Sequence, residues 1–363
     1  MSEKEHVTVG QIEDELTKLW ESDPDQNRIK ACLFNLIIYT HEKRREEYFR
    51  NLVDTIIEKF PCRVIFIQAD GNANENHLSV DVSNATFIRG DLTVACDQIT
   101  IQAAGEMMER IPFIVTPHLV PDLPIYLFWG QDPTLPNETY NALEKLASRV
   151  IFDSDCTKNL QTFARQMLDI LEHSPMEYMD MHWGFTGGWR DAISHVFDTP
   201  ELIASIRSST SIQLIYNNKH SEHFLHNDTK AAYLQAWLAA QLGWKYKKIE
   251  KEGGAITIIY QNGSNDITIS MIPEIKEDLP SGAILEIEFA TTDNLFFTLA
   301  RNQLLRKIIV HVSTLEKCEL PFALPMHNVM RGLNFMKEIF YQPTSSHYRN
   351  MLKMLSTIEW NQV

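Results

Sequence analysis

The chain has 363 residues, 44% hydrophobic and 22% charged, the composition of an ordinary globular protein. A net charge of −15 excludes a phosphate-gripping nucleic-acid binder and suits a protein partner with a basic patch. No apolar run approaches the ~18 residues of a membrane span. Five scattered cysteines without a C-x-x-C exclude a disulfide framework and a four-thiolate zinc site.

MSEKEHVTVG has no apolar core behind a basic start, so the expectation is a cytoplasmic protein without a secretory leader. Thr8 stands three before Gln11 at capping-box spacing, and Ile12, Leu16, Leu19 and Trp20 recur at helical spacing, predicting a helix over 8–20. ACLFNLIIYT (31–40) reads as a buried strand and CRVIFIQAD (62–70) as a second. Between them HEKRREEYFRNLVDTIIEKF (41–60) reads as a helix whose EKRREE run faces solvent. A strand–helix–strand unit of this kind predicts parallel strands joined right-handedly. HLSVDVS (77–83) and ACDQITIQAA (95–104) alternate polar and apolar, as half-buried strands do.

The stretch IPFIVTPHLVPDLPIYLFWGQDP (111–133) is the most distinctive. Pro117, Pro121 and Pro124 predict a rigid, extended connection. IYLFW (125–129) then reads as a central strand, ended by a turn at Gly130, Asp132 and Pro133. Trp129 sits at the carboxyl end of that strand, where open α/β sheets meet ligands and partners. A helix over 137–149, a strand over 149–154 and a helix over 157–173, capped by Ser154 or Asp155, follow. Residues 1–176 thus read as an α/β domain with a mixed, partly parallel sheet flanked by helices.

The junction falls at about 174–180, where Pro, Met and Gly crowd around Trp183 and Trp189. TGGWR (186–190) reads as a tight turn before a helix, with an anion held on free N–H groups as the alternative. Trp183, Trp189 and Arg190 fit either an interior cluster or a partner hot spot. After a strand at 211–217, Asp228 is read as the cap of a helix over 228–244. Six alternating runs between 244 and 313, separated by turn signals, predict an antiparallel meander. Residues 177–343 therefore read as an α+β domain of helices on that meander. Closing helices are expected at 327–340 and 346–360, with residues 344–363 set apart as a C-terminal helix.

No phosphate loop, dinucleotide fingerprint, nucleophile elbow or H-E-x-x-H is present. HSEHFLH (220–226) reads as a solvated loop rather than a metal site, and Cys62 and Cys96 as inert thiols.

Five segments in order carry a resemblance: FPCRVIFI (60–67), IVTPHLVPDLPIYLFWGQDP (114–133), RVIFDS (149–154), DMHWGFTGGWRDAI (180–193) and AAYLQAWLAAQLGW (231–244). Together the chain resembles the glucose-6-phosphate dehydrogenase assembly proteins, the OpcA family. It departs from the family pattern at Phe128 and at Gly187-Gly188. The resemblance implies a non-catalytic protein, without cofactor or metal, that binds and allosterically activates glucose-6-phosphate dehydrogenase of the oxidative pentose phosphate pathway. Its expected partner-binding residues are Pro121, Asp122, Trp129, Asp132, Trp183, Trp189 and Arg190. The rival expectation is an enzyme or sensor that takes a sugar phosphate at the carboxyl edge of the first sheet, near Trp129 and Asp132.

Overall fold

The computed structural model describes residues 5–21, 28–41, 43–73, 75–325, 336 and 339–360. Contacts divide the chain into two compact units, Met1–Asp153 with Met176–Tyr178, and Ser154–Pro175 with Met179–Val363.

In the first unit, β1 (Glu5–Val7), α1 (Ile12–Glu21), β2 (Arg28–Lys30) and β3 (Asn35–Thr40) come first. Then follow α2 (Lys43–Lys59), β4 (Arg63–Asp70), β5 (His77–Arg89), β6 (Leu92–Ala104) and α3 (Ile111–Val115). β7 (Ile125–Gly130), α4 (Glu138–Glu144) and β8 (Arg149–Phe152) follow, and β9 (Glu177–Asp180) starts in this unit and runs into the second. The sheet runs β1-β5-β6-β4-β3-β7-β8-β9, with β2 beside β6. Every residue of β3 is buried, as the apolar run Leu36–Tyr39 at its centre requires of a strand covered on both faces. β3 pairs in parallel with β4 and with β7, β4 with β6, and β7 with β8. Counted outward from β3, the order β6-β4-β3-β7-β8-β9 is the 3-2-1-4-5-6 of a doubly wound sheet, with its switch point between β3 and β7.

Three expectations are corrected here. The proline-rich connection is not extended throughout: Pro121 stands in a turn with Asp122, and Pro112 and Pro117 sit in the first turns of α3 and of a 3-10 turn at Thr116–His118. A proline there has the φ a helix needs and lacks only an N–H that the first turn leaves unused. β5 and β6 are one long antiparallel hairpin rather than two short strands, closed where Gly90 takes φ +65°. The EKRREE run is not wholly solvated, since Arg45 is 1% exposed.

The second unit holds α5 (Leu160–His173), α6 (Met181–Val196), α7 (Pro200–Arg207), β10 (Ser209–Asn217) and α8 (Thr229–Leu242). β11 (Lys245–Glu252), β12 (Ala255–Asn262), β13 (Asn265–Glu274), β14 (Ile284–Thr291), β15 (Phe296–Asn302), β16 (Lys307–Ser313), β17 (Phe322–Pro325) and α9 (Ser346–Leu355) follow. The six expected runs are all strands, but β10 is inserted between β13, to which it is parallel, and β14. Alternate residues such as Ile256, Ile258 and Tyr260 on β12 are buried, and the residues between them stay half-exposed. α8 is buried on nearly every side, and the Tyr260 hydroxyl donates to the Gln235 side chain at 2.5 Å.

The TGGWR segment is helix and not a turn. α6 starts five residues earlier because the Asp180 carboxylate accepts the N–H groups of His182 and Trp183. α5, which packs against α9, is capped by Asn159 rather than by Ser154 or Asp155. Asp228 stands at the start of α8 without a side-chain capping bond. The helix expected over 327–340 lies mostly outside the described residues.

Candidate functional site

The carboxyl edge of the first sheet is where a doubly wound fold takes its ligand, on the turn between the central strand and the next helix. Here β3 ends at Thr40, and the sequence from His41 to Phe49 contains no glycine that would let a phosphate approach the backbone. Instead α2 is drawn down onto the strand ends. The Arg45 guanidinium donates to the carboxylate of Asp153, which directly follows β8, and both side chains are 1% exposed. The same guanidinium lies 5.4 Å from the Tyr48 ring centroid and 5.5 Å from that of Phe49. Phe49 covers the end of β7: a Cβ on Gly130 would stand 2.7 Å from its ring and 2.8 Å from the Tyr39 carbonyl oxygen. Protein therefore fills the space at the switch point.

Trp129 belongs to this packing and not to an exposed strand edge. It is 1% exposed, stacked on Tyr39 at 4.0 Å and edge-on to Tyr140 at 5.0 Å. The reason is its register: Trp129 pairs with Tyr39 on one side and Phe152 on the other, so no lateral face is left for solvent. Asp132 is buried and accepts the N–H and hydroxyl of Thr134, which shapes the turn after β7. Trp129 is thus engaged in ring packing and Asp132 in shaping its turn.

Pro121 and Asp122 are exposed, in the turn before β7 and thus at its amino end, and Asp122 holds φ +63°. Pro121 borders a cavity of about 400 Å³ with Glu13, Lys30, Arg63 and Asp97. Asp97 gathers three donors there: Arg63 at 2.6 Å, Trp20 Nε1 at 2.7 Å and Lys30 at 2.9 Å. Burial works to raise its pKa, but the hydrogen bonds from Lys30, Arg63 and Trp20 outweigh it and hold the carboxyl below its ordinary value. His118 Nδ1 lies 2.9 Å from Glu13, which also accepts from Arg63. The cavity is walled by an ion network that is already internally paired.

In the second unit Trp183 and Trp189 are buried, at 0% and 1% exposure. Arg190 is half-buried, its guanidinium 3.4 Å from the Trp183 ring centroid and donating to the Trp183 carbonyl at 3.2 Å. Trp183 also meets Tyr348 of α9 at 5.4 Å. This group is an interior cluster that seats α6. The 220–226 loop is pinned by the buried Asp155 carboxylate, which accepts the N–H groups of Leu225 and His226. Among the described residues no group of three or more His, Cys, Asp or Glu is arranged to hold a metal. Burial pushes the Cys62 thiol well up and the Cys96 thiol to about 11, so neither is a ready nucleophile at neutral pH.

The carboxyl edge of the sheet does hold an opening, on other strands than the one that carries Trp129. A cavity of about 500 Å³ lies at the carboxyl ends of β3, β4 and β6, lined by Thr40, His41, Gln68, Asp70, His77 and Gln102 among others. Its one sequence signal was an acidic residue, Asp70, ending the second strand of a strand–helix–strand unit.

The first unit is thus a doubly wound domain of the dinucleotide-binding type whose crevice is closed by its own side chains. Comparison with known proteins agrees on the fold. A 3-ketoreductase from Actinomadura kijaniata, solved with NADP, superposes with a TM-score of 0.51 at 10% identity, covering 90% of this chain and 96% of that one. Its open conformation gives the same TM-score over 90% and 95%. The closed switch point of this chain does not fit a dinucleotide pyrophosphate. The chain belongs to the OpcA family: residues 53–169 match the family described as glucose-6-phosphate dehydrogenase subunit N-terminal domain, and residues 176–318 its C-terminal domain. Relatives named OpcA, with a provisional assignment to the OxPP cycle, are 24% identical in Synechocystis sp. over 53% of this chain and 24% identical in Nostoc punctiforme over 56%. The matches span 39% and 42% of those relatives, about two fifths of their length. No helix among the described residues is long and apolar enough to cross a membrane.

Proposed function

We propose that this chain is a non-catalytic, cytoplasmic assembly factor and allosteric activator of glucose-6-phosphate dehydrogenase in the oxidative pentose phosphate pathway. The observation that carries the reading is a dinucleotide-type crevice sealed by Arg45, Asp153 and Phe49 in a member of a family named for that dehydrogenase. A fold that cannot seat its cofactor there has surfaces left to offer. Of the expected partner residues, Pro121 and Asp122 are the exposed pair a partner could touch, and half-buried Arg190 offers a part of its side chain. Trp129, Asp132, Trp183 and Trp189 act from inside, by holding the strands and α6 in place.

The test is a pull-down with purified dehydrogenase, followed by equilibrium titrations with and without saturating glucose 6-phosphate. If the chain favours a substrate-competent form, substrate tightens the protein–protein complex by the same factor that the chain tightens substrate, typically about 5–150-fold. A complex of equal affinity in both titrations would leave the partner standing and remove the activation. Loss of all binding would remove the partner. Turnover of glucose 6-phosphate by the chain alone, surviving repurification, would overturn the non-catalytic reading.

A further inference from the structure

The crevice of the first unit is sealed on one side of β3 only. On the other side, over the ends of β4 and β6, the 500 Å³ cavity remains. In a doubly wound sheet the two sides have different tasks. The switch point and the helix start hold the pyrophosphate, and the end of the second strand holds the ribose through an acidic side chain. β4 is that second strand, and its last residue is Asp70.

We propose that this cavity binds an uncharged ribonucleoside, its ribose hydroxyls on Asp70 and its base against the alanine-lined wall. Asp70 Oδ1 accepts the Asn72 N–H at 3.1 Å, which fixes the carboxylate at the rim. A vicinal diol gives such a carboxylate two O–H donors. Gln68 and Gln102 bring amide groups to the same lining. Ala69, Ala73, Ala103 and Ala104 supply the low apolar surface on which a flat base can lie. His41 adds its ring to the same lining. Its ring lies over Gly71, where a Cβ would come within 2.8 Å of it.

The charge of the lining selects the neutral nucleoside over its phosphates. Glu46, Asp70 and Glu75 contribute carboxylates, and Glu46 is engaged by Arg50 at 2.8 Å. The route a phosphate chain would take from this cavity leads to the switch point occupied by Phe49 and Arg45. This inference stands on the first unit alone and is independent of the dehydrogenase partnership.

The experiment is isothermal titration of the full chain with adenosine, 2′-deoxyadenosine and NADP, repeated on D70N. Saturable adenosine binding is expected, weakened about tenfold or more by loss of the 2′-hydroxyl, the scale of one hydrogen bond to a charged group. NADP is expected to bind no tighter than adenosine. D70N should weaken adenosine by a similar factor with an unchanged melting temperature. The comparison of adenosine with its deoxy form carries the same test if the variant does not fold. Absence of saturable adenosine binding, indifference to the 2′-hydroxyl, or NADP binding tenfold tighter than adenosine would each overturn the proposal.

Discussion

Arg45 at the start of α2 and Asp153 at the end of β8 form an ion pair across 108 positions of sequence, with both side chains 1% exposed. The pair ties α2 to the far side of the switch point. Removing one member of such a pair leaves a charge in the interior, which typically costs about 3–5 kcal/mol. D153N should therefore unfold at markedly lower denaturant concentration than the parent. A double change to apolar residues of similar volume, R45M with D153L, should recover much of the loss. Equal midpoints for parent and D153N would show that the pair does not hold the seal.

Trp129 and Asp122 should separate on opposite readouts. W129A removes a ring stacked on Tyr39 and should cost about 3–5 kcal/mol of folding stability. D122A leaves an exposed turn and should change stability by under about 1 kcal/mol. Dehydrogenase binding should then follow D122A if the turn is part of the docking surface, and follow W129A only as far as the fold is lost. Melting curves beside binding titrations distinguish the two.

The Asp97 network should make the first unit acid-sensitive. Its carboxyl sits below the ordinary 3.8 in the folded chain because Lys30, Arg63 and Trp20 bond the charged form against the opposing effect of burial. A depressed carboxyl contributes stability that is full above about pH 4 and is lost as pH falls through the lower folded value. Parent and D97N melting temperatures should differ by a constant amount at neutral pH and converge only below pH 4. A gap that closed between pH 7 and 5 would contradict the assignment.

Glu286 on β14 should act with the opposite sign. Burial first, then the hydrogen bond and repulsion of Glu288, raise it from 4.5 to about 7. A raised carboxyl opposes folding above its folded value and ceases to do so as pH falls toward its unfolded one. E286Q should therefore be more stable than the parent at pH 8, with the advantage shrinking through pH 7 and gone below about 4.5. A constant difference across that window would mean that Glu286 is not raised in the folded chain.

Much of this fold was legible because burial on both faces writes itself into composition. LIIY in β3 and VIFI in β4 are nearly unbroken apolar runs, and the helix between them fixes their parallel pairing. The errors came where a residue type has two uses. Proline stiffens an extended chain and also begins helices, and Pro112 and Pro117 do the second. Gly187 and Gly188 suggested a turn, but Asp180 had already started α6 upstream, and a running helix carries two glycines at modest cost. The seal at the switch point was not legible: Arg45 lies in a run of charges, and nothing near it in sequence announces Asp153. The cavity beside Asp70 was hidden for the same reason, since only the sheet brings β3, β4 and β6 together. Nor could alternation in β10 show which strands would flank it.

That placement of β10 has a consequence for how the chain is made. β10 leaves the ribosome before both of its neighbours, and Ser211 waits for Thr268 on one side and Ala290 on the other. α8, the next element made, packs on β10 and can shield one face, but it leaves both edges without their ladder bonds. Pairings this distant in sequence slow folding, and an unpaired strand edge is a template for other chains. A nascent chain stalled before Ile284 would carry β10 with its β14 edge open, so the interval between those two strands is the stretch of synthesis in which chaperone protection counts most.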